Sequence, residues 1–87
     1  MSKYKIDFSS RYKTQHKKLS KQNMLKVDEI IRRLANGESL EPKYHDHALK
    51  GVYKGYRECH IKSYLLLIHQ KQDDRLILYC LDLGTHS

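Results

Sequence analysis

No stretch of this sequence is apolar enough to cross a membrane. Every window falls short of the roughly 18 continuous apolar residues of a spanning helix, and the amino terminus, MSKYKIDF, lacks the apolar core of a signal peptide. Internal repeats and low-complexity segments are also missing. We therefore expect a cytoplasmic protein that does not span a membrane. Because 87 residues are too few for two independent cores, we expect one domain over residues 1–87.

Cysteine is scarce, and its placement argues against the usual cysteine-based sites. Cys59 and Cys80 each lie in an apolar, strand-like run, and neither belongs to a CxxC pair. We expect reduced, buried thiols rather than a disulfide or a zinc site. The HDH motif at residues 45–47, even together with Cys59 and His60, lacks the paired ligand spacings of structural zinc. The sequence therefore predicts no metal and no other cofactor.

Acidic residues are few compared with basic ones. Asp and Glu number 10 against 17 Lys and Arg, which gives a formal net charge of +7. This excess favours a polyanionic partner, which can be nucleic acid, a membrane surface or an acidic protein. The longest interval of one sign, residues 11–26, is either a solvated helix face or an RNA-facing surface.

The first half of the sequence predicts one strand and two helices. Residues 4–8 (YKIDF) alternate as a short strand does, and the serine pair at 9–10 offers an N-cap for a helix running toward Leu19. From Asn23, apolar residues recur at the spacing of an amphipathic helix, which the Asn-Gly pair at 36–37 terminates.

The second half predicts strands only. Three runs of strand character cover residues 55–61, 64–70 and 75–83, and a polar turn joins the last two. The apolar run LLLI at residues 65–68 is typical of a central strand that is covered on both faces. The predicted order is β-α-α-β-β-β, which is an α+β fold.

The first of these three strands carries acid-base groups on one face. Its period of two places Glu58 and His60 on the same face, about 6.5 to 7 Å apart, and Arg57 on the other. His47 precedes this strand and His86 follows the last one, so strand pairing can bring three imidazoles together. One imidazole can then remove a proton while another delivers one, as RNA cleavage at the 2'-hydroxyl requires.

The remaining basic groups divide into phosphate ligands and structural histidines. Cations near the predicted histidine cluster can hold a phosphate and offset the charge that develops on it. These candidates are Lys50, Lys54 and Arg57. A lone histidine on a helix or strand is more often a packed, hydrogen-bonded side chain than a catalyst. We expect this structural role for His16, His45 and His69.

Several motifs in the second half resemble a known protein family. DHALKG and YKGYRECHIK, followed by the LLLI strand and the terminal LGTHS, are similar to the YafQ branch of the RelE superfamily of bacterial toxins. By motif, His47, His60 and His86 match the family's catalytic histidines. Glu58 matches an acidic position beside them.

The resemblance implies a function and a fold. The function is that of a ribosome-dependent mRNA interferase, the toxin of a type II toxin–antitoxin pair, which cuts mRNA in the ribosomal A site without a metal. The fold is an antiparallel sheet with two N-terminal helices packed on one face and an RNA groove on the other. The implied partners are a cognate acidic antitoxin, the ribosome with its mRNA, and operator DNA only through the antitoxin complex, with no membrane.

Two positions depart from the family pattern and leave an alternative open. Tyr64 stands where the family usually has an aspartate, and Asp82 stands where it usually has an arginine. The alternative is a toxin homologue that cleaves poorly. It would bind RNA or antitoxin and help to repress its own operon.

Overall fold

Two helices and a five-stranded sheet make up the structure, a computed structural model that describes residues 2–85. The elements are β1 (Lys5–Phe8), α1 (Ser10–Lys17), α2 (Lys21–Ala35), β2 (His47–Ala48), β3 (Arg57–Lys62), β4 (Leu65–Gln72) and β5 (Ile77–Thr85). The predicted α+β class and the order of one strand, two helices and three strands are confirmed. One short strand, β2, was not predicted.

Serine side chains begin both helices. Ser9 Oγ accepts a hydrogen bond from the Tyr12 amide at 2.9 Å, and Ser20 Oγ accepts one from the Asn23 amide at 3.2 Å. α2 begins before Asn23, its predicted start, because its first turn is polar and contributes nothing to the apolar pattern. It ends before Gly37, whose φ of +84° suits a residue without a Cβ atom.

The strand order across the sheet is β1-β5-β4-β3-β2. β3, β4 and β5 pair antiparallel in chain order, as predicted, and the unpredicted β2 adds antiparallel to β3. β1 pairs parallel with β5, so the expectation of an antiparallel sheet is wrong for this pair and the sheet is mixed. No hairpin connects β1 to β5, so turn geometry does not force them to run in opposite directions.

The core lies between α2 and one face of the sheet. Its fully buried side chains include Ile30 and Leu34 from α2, Leu65 and Leu67 from β4, and Leu78 from β5. β4 occupies the centre of the sheet, as its apolar run predicts. Within the described residues, no helix is long and apolar enough to span a membrane.

Both cysteines belong to this core. Cys59 and Cys80 are fully buried and free of disulfides. Burial raises the pKa of each thiol to about 12. The thiols are therefore protonated at neutral pH and lack the thiolate form that reacts and binds metals.

Candidate active site

The alternation of β3 separates a buried face from an open one. Cys59 and Ile61 face the core and are 0% and 3% exposed. Glu58 and His60 point to the opposite face, where both are half-buried. The predicted division of this strand is confirmed, and it leaves the acid-base groups accessible from solvent.

Glu58 lies between two imidazoles on the open face. Its Oε1 is 3.6 Å from Nε2 of His47 and 3.7 Å from Nε2 of His60. The two ring centroids are 6.2 Å apart. At these distances the carboxylate attracts whichever imidazole is protonated, and the cluster can hold a mobile proton close to a bound substrate. We call Glu58, His47 and His60 the open cluster.

β2 positions His47 in this cluster. It pairs with β3 so that His47 lies directly opposite Glu58. Nδ1 of His47 is 2.6 Å from the carbonyl oxygen of His45. Since a carbonyl only accepts, Nδ1 carries the proton and donates it, which fixes the ring with Nε2 toward Glu58. A two-residue strand shows no periodicity, so sequence patterns could not have predicted β2.

The three histidines that we expected to be structural have different surroundings in the structure. His16 bonds Asp28 at 3.1 Å on the helical side of the molecule, and His69 is fully buried. His45, by contrast, packs edge-on against His60 with ring centroids 5.5 Å apart. His45 therefore borders the open cluster. His86, the third predicted catalytic histidine, lies outside the described residues.

The predicted phosphate ligands lie in two different settings. Lys50 and Lys54 are exposed in the loop between β2 and β3. Arg57 begins β3 on the face opposite Glu58, and its Nε donates a hydrogen bond to Oδ1 of Asp46 at 3.0 Å. Since this bond directs the guanidinium away from the open cluster, no contact supports a role for Arg57 in binding phosphate there.

Asp46 is the centre of a second charged cluster, which the sequence did not indicate. Besides Arg57, it faces Nε2 of His69 at 3.7 Å. Both ring nitrogens of His69 are buried without a hydrogen-bond partner among residues 2–85. Burial raises the pKa of Asp46, but His69 and Arg57 outweigh burial and bring it below its ordinary value. We call Asp46, Arg57 and His69 the inner cluster.

The two residues that depart from the family pattern have other partners. Tyr64, at the turn between β3 and β4, lies within hydrogen-bonding distance of the Asn23 side chain. Asp82 lies opposite Ile68, which lies opposite Glu58, so all three occupy one row on the open face. Nη1 of Arg11 approaches the carboxylate of Asp82 at 3.6 Å. The guanidinium of Arg11 therefore lies near Asp82, at the position where the family usually has an arginine.

Among residues 2–85, no group of three or more metal-ligating side chains is arranged to hold a metal ion. His86 stands beyond this range. The metal-independent chemistry therefore stays a prediction.

Comparison with known proteins gives a consistent family. The model of the family described as "Bacterial toxin of type II toxin-antitoxin system, YafQ" matches residues 4–87. The mRNA interferase toxin YafQ of Escherichia coli K12 is 33% identical over 85 residues, which cover 94% of this chain and 90% of that protein.

Solved structures agree with the sequence match. The crystal structure of a metal-bound toxin from Helicobacter pylori aligns with a TM-score of 0.85 and 35% identity, over 95% of this chain and 94% of that one. A chain of the E. coli DinJ–YafQ toxin–antitoxin complex aligns with a TM-score of 0.82 and 31% identity, over 97% of this chain and 93% of that one.

Proposed function

The chain belongs to the YafQ family of bacterial type II toxins, and on that premise we propose that it cleaves mRNA by attack of the RNA's own 2'-hydroxyl. The observation that carries the proposal is the carboxylate of Glu58 between the imidazoles of His47 and His60, at 3.6 and 3.7 Å on the open face. This arrangement offers a proton acceptor and a proton donor within reach of one substrate.

The reaction needs two proton transfers. A base removes the 2'-hydroxyl proton, and the 2'-oxygen attacks the adjoining phosphorus. The bond from phosphorus to the 5'-oxygen then breaks, and an acid protonates that oxygen. The products are a 2',3'-cyclic phosphate and a 5'-hydroxyl. Glu58 stabilises the imidazole that is protonated at each stage, because its negative charge lies within 4 Å of both rings.

His86 is the third catalytic histidine of this proposal. Its assignment comes from the resemblance of LGTHS to the family's terminal motif. In this proposal Lys50 and Lys54 contact the RNA backbone, which their exposure allows, and Arg57 stays a predicted ligand whose present partner is Asp46.

The proposed partners follow from charge and family membership. The substrate is mRNA in the ribosomal A site, so the protein acts in the cytoplasm. A cognate acidic antitoxin would neutralise a chain of formal charge +7. The E. coli relative forms a toxin–antitoxin complex with DinJ. We infer contact with operator DNA only through such a complex.

The alternative of a binding module without cleavage rests on Tyr64 and Asp82, and the structure adds an observation for Asp82. Its negative charge in the row of Glu58 opposes a bound phosphate. Mapping of mRNA ends on translating ribosomes separates the two functions, because only an enzyme creates new ends.

The same measurement tests the proposed site. We expect wild-type protein to produce new mRNA ends with 5'-hydroxyl groups, and His60→Ala to reduce their rate of formation by about 10² to 10⁴. His16→Ala is the matched control, since His16 bonds Asp28 away from the open cluster. Full cleavage by His60→Ala would contradict the assignment. Absence of cleavage by folded wild-type protein would favour the binding module.

A further inference from the structure

A cavity of about 370 Å³ opens beside the open cluster. It lies where the end of β3 meets α2 and the short 3₁₀ turn Pro42–Tyr44. The polar residues that line it are Lys26, Lys43, Lys62, His45, His60 and Ser63. Its wall therefore comes from three separate parts of the chain.

The cavity is strongly cationic. Three lysines line it, and its lining among residues 2–85 includes no carboxylate. Lys26 pairs with Glu29 at 3.0 Å, whereas Lys43 and Lys62 form no ion pair within the described part of the chain. Two uncompensated ammonium groups at one concave site favour an anion, since a low-dielectric wall concentrates their field.

Buried Tyr44 holds two of these lysines in place. Nζ of Lys43 and Nζ of Lys26 lie 5.2 and 5.5 Å from its ring centroid. Tyr44 itself is only 4% exposed and packs in the core. Cation–π contacts of this kind limit the motion of long side chains, so the cavity is partly organised before a ligand binds.

The short length of β2 keeps the cavity open. β2 pairs only with Arg57 and Glu58, so within residues 2–85 no strand lies beside the edge of β3 beyond them. The 3₁₀ turn Pro42–Tyr44 lies near this edge instead. His60 lines the cavity and also belongs to the open cluster, so the two sites are continuous.

We propose that this cavity binds a phosphate of the RNA chain next to the one that is cleaved, with Lys43 and Lys62 as its principal ligands. The inference rests on the proposed function, because it assigns a second subsite to the same RNA. A phosphodiester fits the cavity better than an apolar anchor because the groups available are ammonium, imidazole and hydroxyl donors. Ser63 adds a neutral hydroxyl donor, which can replace a water molecule that the phosphate loses on binding.

The test measures binding separately from cleavage. An RNA oligonucleotide with a 2'-O-methyl group on every sugar cannot undergo 2'-oxygen attack, so its affinity reports binding alone. We expect Lys43→Gln/Lys62→Gln to weaken binding about tenfold at low salt. The slope of log affinity against log salt should become shallower by about 0.7 for one lost phosphate contact on a single strand.

Lys3→Gln/Lys5→Gln is the matched control. Like the site variant, it removes two positive charges, but from exposed residues at the β1 side of the sheet, far from β3 in the strand order. We expect it to keep the wild-type slope and most of the affinity. Circular dichroism and thermal unfolding of wild type and both variants establish that each is folded.

An NMR titration with inorganic phosphate gives a second test. In wild type, phosphate should shift the Ser63 and His60 amide resonances, and the site variant should lose these shifts.

Three outcomes would overturn the proposal: no RNA binding by wild type, equal losses in both variants, or a site variant that binds RNA as wild type does. In the third case, binding of the acidic peptide hexaglutamate is also measured, and a site variant that loses affinity for this peptide alone would assign the cavity to an acidic protein. Binding by wild type without mRNA cleavage would refute the proposed enzyme and leave the phosphate site standing.

Discussion

The edge of the sheet formed by β2 and β3 carries two clusters of similar composition on opposite faces. In the open cluster, Glu58 lies between His47 and His60. In the inner cluster, Asp46 lies between Arg57 and His69. Asp46 directly precedes His47, the first residue of β2, and the side chains of these two neighbours join different clusters. Each cluster thus has one carboxylate between two basic groups.

Burial gives the two clusters different roles. The side chains of His47 and His60 are 49% and 33% exposed, whereas that of His69 is 1% exposed. Exposed imidazoles can exchange protons with a substrate and with water. The inner carboxylate, whose side chain is 21% exposed, faces a permanent guanidinium charge and a buried imidazole, so it serves instead to hold the chain, because without these partners its own charge would be poorly compensated. We therefore propose that the open cluster serves the chemistry and the inner cluster the stability of the fold.

Of the two carboxylates at the centres of these clusters, Glu58 should have the larger effect on activity, and Glu58→Gln tests this. The amide keeps the shape of the side chain but cannot stabilise a protonated imidazole, so single-turnover cleavage should fall about 10²-fold. The free energy of unfolding in urea should change by less than about 0.5 kcal/mol, since no buried bond is lost. A rate equal to that of wild type would remove Glu58 from the mechanism.

Asp46→Asn should reduce stability more than cleavage, the reverse of Glu58→Gln. The change leaves Arg57 without its carboxylate, and we expect a loss of about 1 to 2 kcal/mol in the free energy of unfolding. Cleavage should fall less than about tenfold, through a small displacement of the adjacent His47. If Asp46→Asn instead reduced cleavage as much as Glu58→Gln at unchanged stability, the division of roles between the clusters would be wrong.

The inner cluster should also determine part of the stability in acid. The pKa of Asp46 is lower in the folded chain than in the unfolded one, because His69 and Arg57 outweigh burial. Its contribution to stability is therefore present above the unfolded pKa, about 3.9, and is lost as the pH falls through the lower folded value. Urea unfolding between pH 5 and 2 should show a steeper loss for wild type than for Asp46→Asn. Parallel curves would show that Asp46 makes no such contribution.

Local patterns were sufficient to place Glu58 and His60 on one face, but not to fix His47 beside them or to predict the inner cluster. Glu58 and His60 share a face through the period of two, which depends only on the identity of one strand. The inner cluster joins Asp46 to His69, and their proximity depends on the pairing of β2, β3 and β4. A two-residue strand such as β2 leaves no pattern in the sequence, and register is set by tertiary packing.

The direction of β1 is another feature that local sequence patterns could not predict. Residues 4–8 alternate as a strand, and the structure confirms one at Lys5–Phe8. Alternation does not reveal whether its neighbour runs parallel or antiparallel, because the two helices after β1 allow either direction. Capping serines, amphipathic spacing and apolar runs thus predicted the elements. Long-range pairing decided how the sheet was assembled.

The smallest effect is expected at Asp82, at the border of the open cluster. Asp82 lies in the same cross-strand row as Glu58, two strands away, which corresponds to about 10 Å. At that distance in water, one unit charge acts on another with about 0.4 kcal/mol, which is a factor of about two in rate. Asp82→Asn should therefore accelerate single-turnover cleavage up to about twofold, and Asp82→Arg up to about fourfold, because it reverses the charge.

Stability should hardly respond to these two changes, because the side chain of Arg11, the partner of Asp82, is 61% exposed and such ion pairs contribute little. Arg11→Gln is the informative companion. If Asp82 acts only by repelling phosphate, Arg11→Gln should slow cleavage slightly by removing the charge that offsets it. A large loss of cleavage in Asp82→Asn would mean that Asp82 holds Arg11 against the RNA. The open cluster would then extend across the sheet to α1.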